Sequence, residues 1–100
     1  MEDRMSTVVL LTVKAKPENY ENLKNAIAEA LKTTKAFNGC LGIYASGNAE
    51  DHSVLVYERW ESIDAYKAYA EWRKSNGGLQ DMAAWFREPP HSVPCEDVFS

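Results

Sequence analysis

Apolar residues recur along this chain with two distinct periods. Ser6–Lys14 (STVVLLTVK) is rich in β-branched residues and runs up to Lys16-Pro17, a pair that favours extended backbone followed by a first helical turn. It predicts strand one. From Pro17 the period changes: Tyr20, Leu23, Ile27, Ala30, Leu31 and Phe37 recur at three- and four-residue intervals. Glu18 and Glu21 open this first helix, Lys32 and Lys35 close it in agreement with the helix dipole, and Asn38-Gly39 stops it. Cys40–Ser46 then predicts strand two, a turn at 47–51 predicts a hairpin, and His52–Trp60 predicts strand three. Glu61-Ser62 offers a cap to a second helix whose face is Ile63, Tyr66, Tyr69, Ala70 and Arg73. Ser75-Asn76-Gly77-Gly78 breaks that helix. Leu79, Met82, Ala83 and Phe86 predict a short third helix, ended by Pro89-Pro90 before a last extended segment, His91–Phe99.

The element order is β-α-β-β-α-(α)-β, an α+β, ferredoxin-like arrangement with one extra short helix and a four-stranded antiparallel sheet. Strands one and three do not alternate as a sheet with one solvated face should. Val9, Leu11 and Val13 oppose Val8, Leu10 and Thr12, while Val54 and Val56 oppose Leu55 and Tyr57. The helices cover one face only, so the expectation is a homodimer through sheet-on-sheet packing. In the usual strand order 4-1-3-2 the edge strands carry Cys40 and Cys95, too far apart for a disulfide.

Composition narrows the functional classes. One hundred residues, 45% apolar and 26% charged, fit one domain spanning 1–100 with a short tail at 1–5. The net charge is −4, with six basic and six acidic residues in the first fifty and five and nine in the second. No basic stripe is present, which argues against nucleic acid as a partner. The N-terminus lacks the pattern of an export signal, and the longest apolar run, Val8–Leu11, is far short of a membrane span. The expectation is a cytoplasmic protein with no membrane partner. Cys40 and Cys95 lack metal-ligand or redox spacing, and His52 and His91 read as ordinary strand-end histidines. Neither a GxGxxG nor a P-loop motif occurs, so no cofactor and no metal is expected.

Aromatic residues crowd the second half: Tyr57, Trp60, Tyr66, Tyr69, Trp72, Trp85, Phe86 and Phe99, against Tyr20, Phe37 and Tyr44 in the first. The blocks Val13-Lys14-Ala15-Lys16-Pro17, Asn38-Gly39-Cys40-Leu41-Gly42-Ile43-Tyr44 and Val54-Leu55-Val56-Tyr57-Glu58-Arg59-Trp60-Glu61-Ser62, in this order, resemble the antibiotic biosynthesis monooxygenase family of dimeric α+β barrels. The resemblance spans nearly the whole chain. It implies a homodimer with a ligand cavity between sheet and helices in each subunit, and oxidation of a small aromatic hydroquinone or polyketide by molecular oxygen without metal or flavin. The alternative it leaves open is a non-catalytic barrel that binds a hydrophobic metabolite or serves as an accessory or stress protein. Haem breakdown, known among relatives, needs a proximal histidine that this chain does not offer on its second helix.

The resemblance places Trp60 and Tyr66 as the candidate catalytic residues, Trp60 stacking on a planar substrate and Tyr66 hydrogen-bonding its phenolic oxygen. Each also has a packing role open to it. Tyr69 stands where many members carry histidine, with Trp72-Arg73-Lys74 after it. Tyr44, Tyr57, Tyr69, Trp72, Trp85 and Phe86 are candidate cavity walls. Arg73 either anchors a substrate oxyanion or, the reading the sequence favours, pairs at the surface with Glu71 or Asp81. Glu58 is a candidate buried carboxylate whose face the sequence leaves undetermined, and Asn76-Gly77-Gly78 is either a gate or a plain loop.

Overall fold

A computed structural model describes residues 6–98; the tail at 1–5 and Phe99 lie outside the described residues. Four strands, β1 (Thr7–Lys14), β2 (Cys40–Asn48), β3 (Ser53–Trp60) and β4 (His91–Glu96), form one antiparallel sheet in the order β2-β3-β1-β4. Helices α1 (Tyr20–Ala36) and α2 (Ile63–Ser75) link β1 to β2 and β3 to β4. This is the ferredoxin-like α+β fold the sequence predicts. Cys40 and Cys95 are free and sit on the two opposite edge strands. Among the described residues no helix is long and apolar enough to cross a membrane.

Register sorts the strand residues onto two faces. Val9 stands opposite Glu58, Leu11 opposite Val56 and Val13 opposite Val54, all on the helix-covered face. Leu10, opposite Tyr57 and Val93, and Thr12, opposite Leu55, belong to the other face. The core therefore forms on one side, in two clusters. Val13, Ala15, Leu23, Ile27, Val54, Val56 and Met82 make the larger one beneath α1. Val9, Trp60 and Tyr69 make the second, beneath α2, with Phe37 and Trp72 packed on it.

Local chemistry explains the boundaries. Pro17–Asn19 is a single 3-10 turn that feeds α1, since proline lacks the N–H the first turn would leave unpaired. Gly39 turns α1 into β2 at φ 93°, and a Cβ there would lie 2.7 Å from that of Ala65, so only glycine lets the turn pack on α2. Ser62 accepts from the Ala65 amide and caps α2.

One helix type and two strand ends differ most from the sequence reading, and the last strand, expected over His91–Phe99, ends at Glu96. The expected third α-helix is a 3-10 segment, Leu79–Trp85. With three residues per turn, Leu79, Met82 and Trp85 share its inner face. Phe86 instead leaves the helix to bridge Ala15. The amide of Lys16 donates to the Trp85 carbonyl and that of Arg87 to the Lys14 carbonyl, each at 2.8 Å, which ties the segment to the end of β1. Strand two runs two residues past its expected end, to Asn48.

Candidate functional site

Between the covered face of the sheet and α1, α2 and the 3-10 segment lies a cavity of about 240 Å³. Its floor is Leu11, Val56 and Glu58 from the two central strands, with Met82 from the 3-10 segment. Ile27, Leu31 and Thr34 of α1 and Tyr66, Tyr69 and Arg73 of α2 form its walls.

The floor holds an unusual group for a sheet face. Glu58 is only 5% exposed, and its Oε1 accepts a 2.9 Å hydrogen bond from the indole Nε1–H of Trp60, itself fully buried. Burial pushes the Glu58 carboxyl above the ordinary glutamate range, against the opposing pull of the Trp60 hydrogen bond and the Arg73 charge. Such a group accepts a proton more readily than a solvated carboxylate does.

The walls carry hydroxyls. Tyr66 Oη lies 3.3 Å from Ser92 Oγ, at the β4 side of the cavity. Tyr69 Oη lies 2.7 Å from Thr34 Oγ1 and also accepts from Arg73 Nε at 3.0 Å. Arg73 Nη2 donates to the Ala30 carbonyl at 2.7 Å and to Thr34 Oγ1 at 3.2 Å, joining α2 to α1. The expected surface pairing of Arg73 with Glu71 or Asp81 does not form: Arg73 turns inward because Thr34 and the Ala30 carbonyl offer it acceptors, while Glu71 pairs with Lys74.

The structure brings together Tyr66, Tyr69, Arg73 and Glu58 around one space, with Trp60 directly behind it. Trp60 does not line the cavity; its ring stacks against Tyr69 (centroids 4.9 Å, 31°) and lies 6.1 Å from that of Tyr66. Trp72 packs outside on Phe37, 5.5 Å between ring centroids. Trp85 and Phe86 pack on the larger core cluster and do not line the space. Tyr44 and Tyr57, with rings 6.3 Å apart, lie on the opposite face of the sheet. Asn76 ends α2 with its side chain on the Trp72 carbonyl, and Gly78 borders the cavity. His52 packs edge-on against Tyr20, away from the cavity.

Thr34, Ser92 and Met82 are lining residues that the sequence reading did not place. Thr34 had a signal: it continues the buried stripe Leu23, Ile27, Leu31 at helical spacing, where a hydroxyl needs a partner.

The family model for antibiotic biosynthesis monooxygenase matches residues 6–77, which include Glu58, Trp60, Tyr66, Tyr69 and Arg73. No curated protein matches the chain. Among solved structures, a protein of unknown function from Nitrosomonas europaea superposes with a TM-score of 0.83 at 17% identity, over 96% of this chain and 92% of that one. A conserved protein from Methanosarcina mazei Go1 gives 0.81 at 12% identity, covering 91% of each chain. A structure described as an antibiotic biosynthesis monooxygenase gives 0.81 at 17%, over 92% of this chain and 98% of that one. At these identities the likeness is one of fold.

Proposed function

The chain belongs to the antibiotic biosynthesis monooxygenase family, and from that premise we propose that it oxidises a small aromatic hydroquinone with molecular oxygen, the substrate itself supplying the electrons. The observation that carries the reading is the buried carboxylate of Glu58, set in the floor of an otherwise largely apolar cavity and held by Trp60. A hydroquinone and O2 give a hydroxyquinone and water, so all four electrons come from the substrate. The protein's task is to take the phenolic proton, because the anion is the form that passes an electron to oxygen, and to keep water from the intermediate. Glu58 is the base in this scheme. Tyr66 orients the ring through its hydroxyl, and Trp60 positions Glu58. At about 240 Å³ the cavity is smaller than the roughly 300–1,000 Å³ of drug-sized ligand sites, which favours one or two rings over a polycyclic polyketide.

We also infer that the protein is a homodimer joined through the open sheet face. Leu10, Leu55 and Tyr44 are 44%, 49% and 69% exposed there, an apolar surface that a second copy of the same face would cover.

Oxygen uptake with a panel of mono- and bicyclic hydroquinones, compared with anaerobic binding of the same compounds, tests the activity. Saturable uptake that depends on Glu58 supports it. Saturable binding with no uptake across the panel would identify a binding protein instead.

A further inference from the structure

We infer that Arg73 forms an anion subsite within the cavity, and that the aromatic ligand carries a carboxylate which this guanidinium neutralises. The inference rests on the aromatic nature of the ligand proposed above and adds to it an acidic substituent.

The hydrogen bonds of Arg73 engage its Nε and Nη2 but leave its charge without an ion pair. All three acceptors, Tyr69 Oη, the Ala30 carbonyl and Thr34 Oγ1, are neutral. Its guanidinium also stands 5.6 Å and 5.1 Å from the ring centroids of Tyr69 and Trp72, contacts that cushion a cation without neutralising it. Among the described residues no carboxylate lies within ion-pairing distance of Arg73. Lys14, Lys24, Lys32, Arg59 and Lys74 each have one. Arg73 acts on the Glu58 carboxyl across the cavity but makes no ion-pair contact with it, and a half-buried cation beside a largely apolar space is costly to leave without one.

The cavity's charges reinforce this. Among the described residues its charged lining consists of Arg73, Lys74 and Glu58, two cations against one carboxyl. Lys74 is exposed and engaged by Glu71, so the inward positive charge is that of Arg73. Its Nε and Nη2 are held by α1 and α2, while Nη1 has no hydrogen-bond partner among the described residues. A guanidinium fixed on one edge and open on another is pre-organised for a planar carboxylate. Glu58 and Arg73 then make separate demands on one ligand: a phenolic proton for the first and an oxyanion for the second.

The probe is gentisate, a single-ring hydroquinone bearing a carboxylate, compared with its neutral methyl ester. Both are titrated anaerobically at neutral pH by calorimetry, so no oxidation intervenes. The wild-type protein is expected to bind the acid roughly tenfold or more tightly than the ester. Arg73→Gln should level the two, Arg73→Lys should keep part of the preference, and Lys74→Gln should keep it. Equal affinity of the wild type for acid and ester overturns the subsite, and needs no variant to fold. A preference that survives Arg73→Gln, or disappears with Lys74→Gln, overturns it as well. Acid preference without oxygen uptake would sink the oxygenase reading alone. Uptake with neutral hydroquinones and no acid preference would sink the subsite alone.

Discussion

Trp60 and Glu58 lie two residues apart on the covered face of β3, and the indole N–H of the first donates to the carboxyl of the second at 2.9 Å. The pair joins the deepest aromatic ring of the α2 cluster to the only carboxyl that lines the cavity among the described residues. Packing and chemistry thus meet at one hydrogen bond, and its two ends give separable predictions.

Replacing Glu58 by Gln keeps the acceptor for Trp60 and removes the base. On the proposed mechanism kcat/KM should fall by about 10²–10⁴-fold, with binding of the substrate little changed. The pH dependence follows from the same group. Because burial raises its pKa, the wild-type kcat/KM should rise with pH through an inflection above 4.5, the ordinary value for a glutamate side chain. A flat profile from pH 4 to 8, or full activity in Glu58→Gln, would exclude Glu58 as the base.

The same shift has a consequence for stability, of opposite sign to that of an ordinary carboxylate. With a folded pKa above the unfolded one, the native state binds the proton more tightly. The contribution of Glu58 is therefore fully present below about pH 4.5 and is lost as pH rises through the folded-state pKa. Glu58→Gln should match the wild type in urea unfolding near pH 4 and exceed it progressively toward neutrality. Equal midpoints at both ends of that range would contradict a raised pKa.

Trp60→Phe removes the donor and leaves Glu58 without its hydrogen bond. The lost bond lowers the carboxyl pKa in the wild type, so the acid limb of the rate profile should move to higher pH. Stability should drop by roughly 1–3 kcal/mol, from the unsatisfied acceptor and the smaller ring in a fully buried site. Trp60 acting only as packing would cost stability without moving the pH profile.

The fold was legible from the sequence because each element carries a redundant signal. Lys16-Pro17, Asn38-Gly39 and Ser62 mark boundaries by backbone chemistry that needs no tertiary context. The 3-10 segment was not so marked, since Leu79, Met82, Ala83 and Phe86 fit a 3.6 period as well as Leu79, Met82 and Trp85 fit a period of 3. The site divides similarly. Tyr66 and Tyr69 follow from the α2 stripe, whereas the face of Glu58 depends on its register against Val9. The inward turn of Arg73 depends on Thr34 and Ala30, some forty residues away, and no local pattern announces such a contact.

That long-range contact is itself testable. Thr34 and Tyr69 share a 2.7 Å hydrogen bond between buried hydroxyls, and Arg73 reaches both. A double-mutant cycle of Thr34→Val and Tyr69→Phe should give a coupling of about 0.5–1.5 kcal/mol, the size expected for one net hydrogen bond. Purely additive effects would show that the two hydroxyls are each satisfied by Arg73 alone.

The open face of the sheet supplies the last prediction. Leu10 sits at its centre, paired across β1 with Tyr57 on one side and Val93 on the other. Leu55, two strand positions from Tyr57 on β3, extends the same surface. In the proposed dimer these side chains meet their copies, so a charge there is buried against an identical charge. Sedimentation of the wild type should give twice the 11.3 kDa chain mass, and Leu10→Lys with Leu55→Lys should lower the association constant by several orders of magnitude. Because the substitutions point away from the cavity, the isolated subunit should keep its secondary structure by circular dichroism. A wild-type protein that sediments as a monomer at micromolar concentration would leave the apolar face to some other partner.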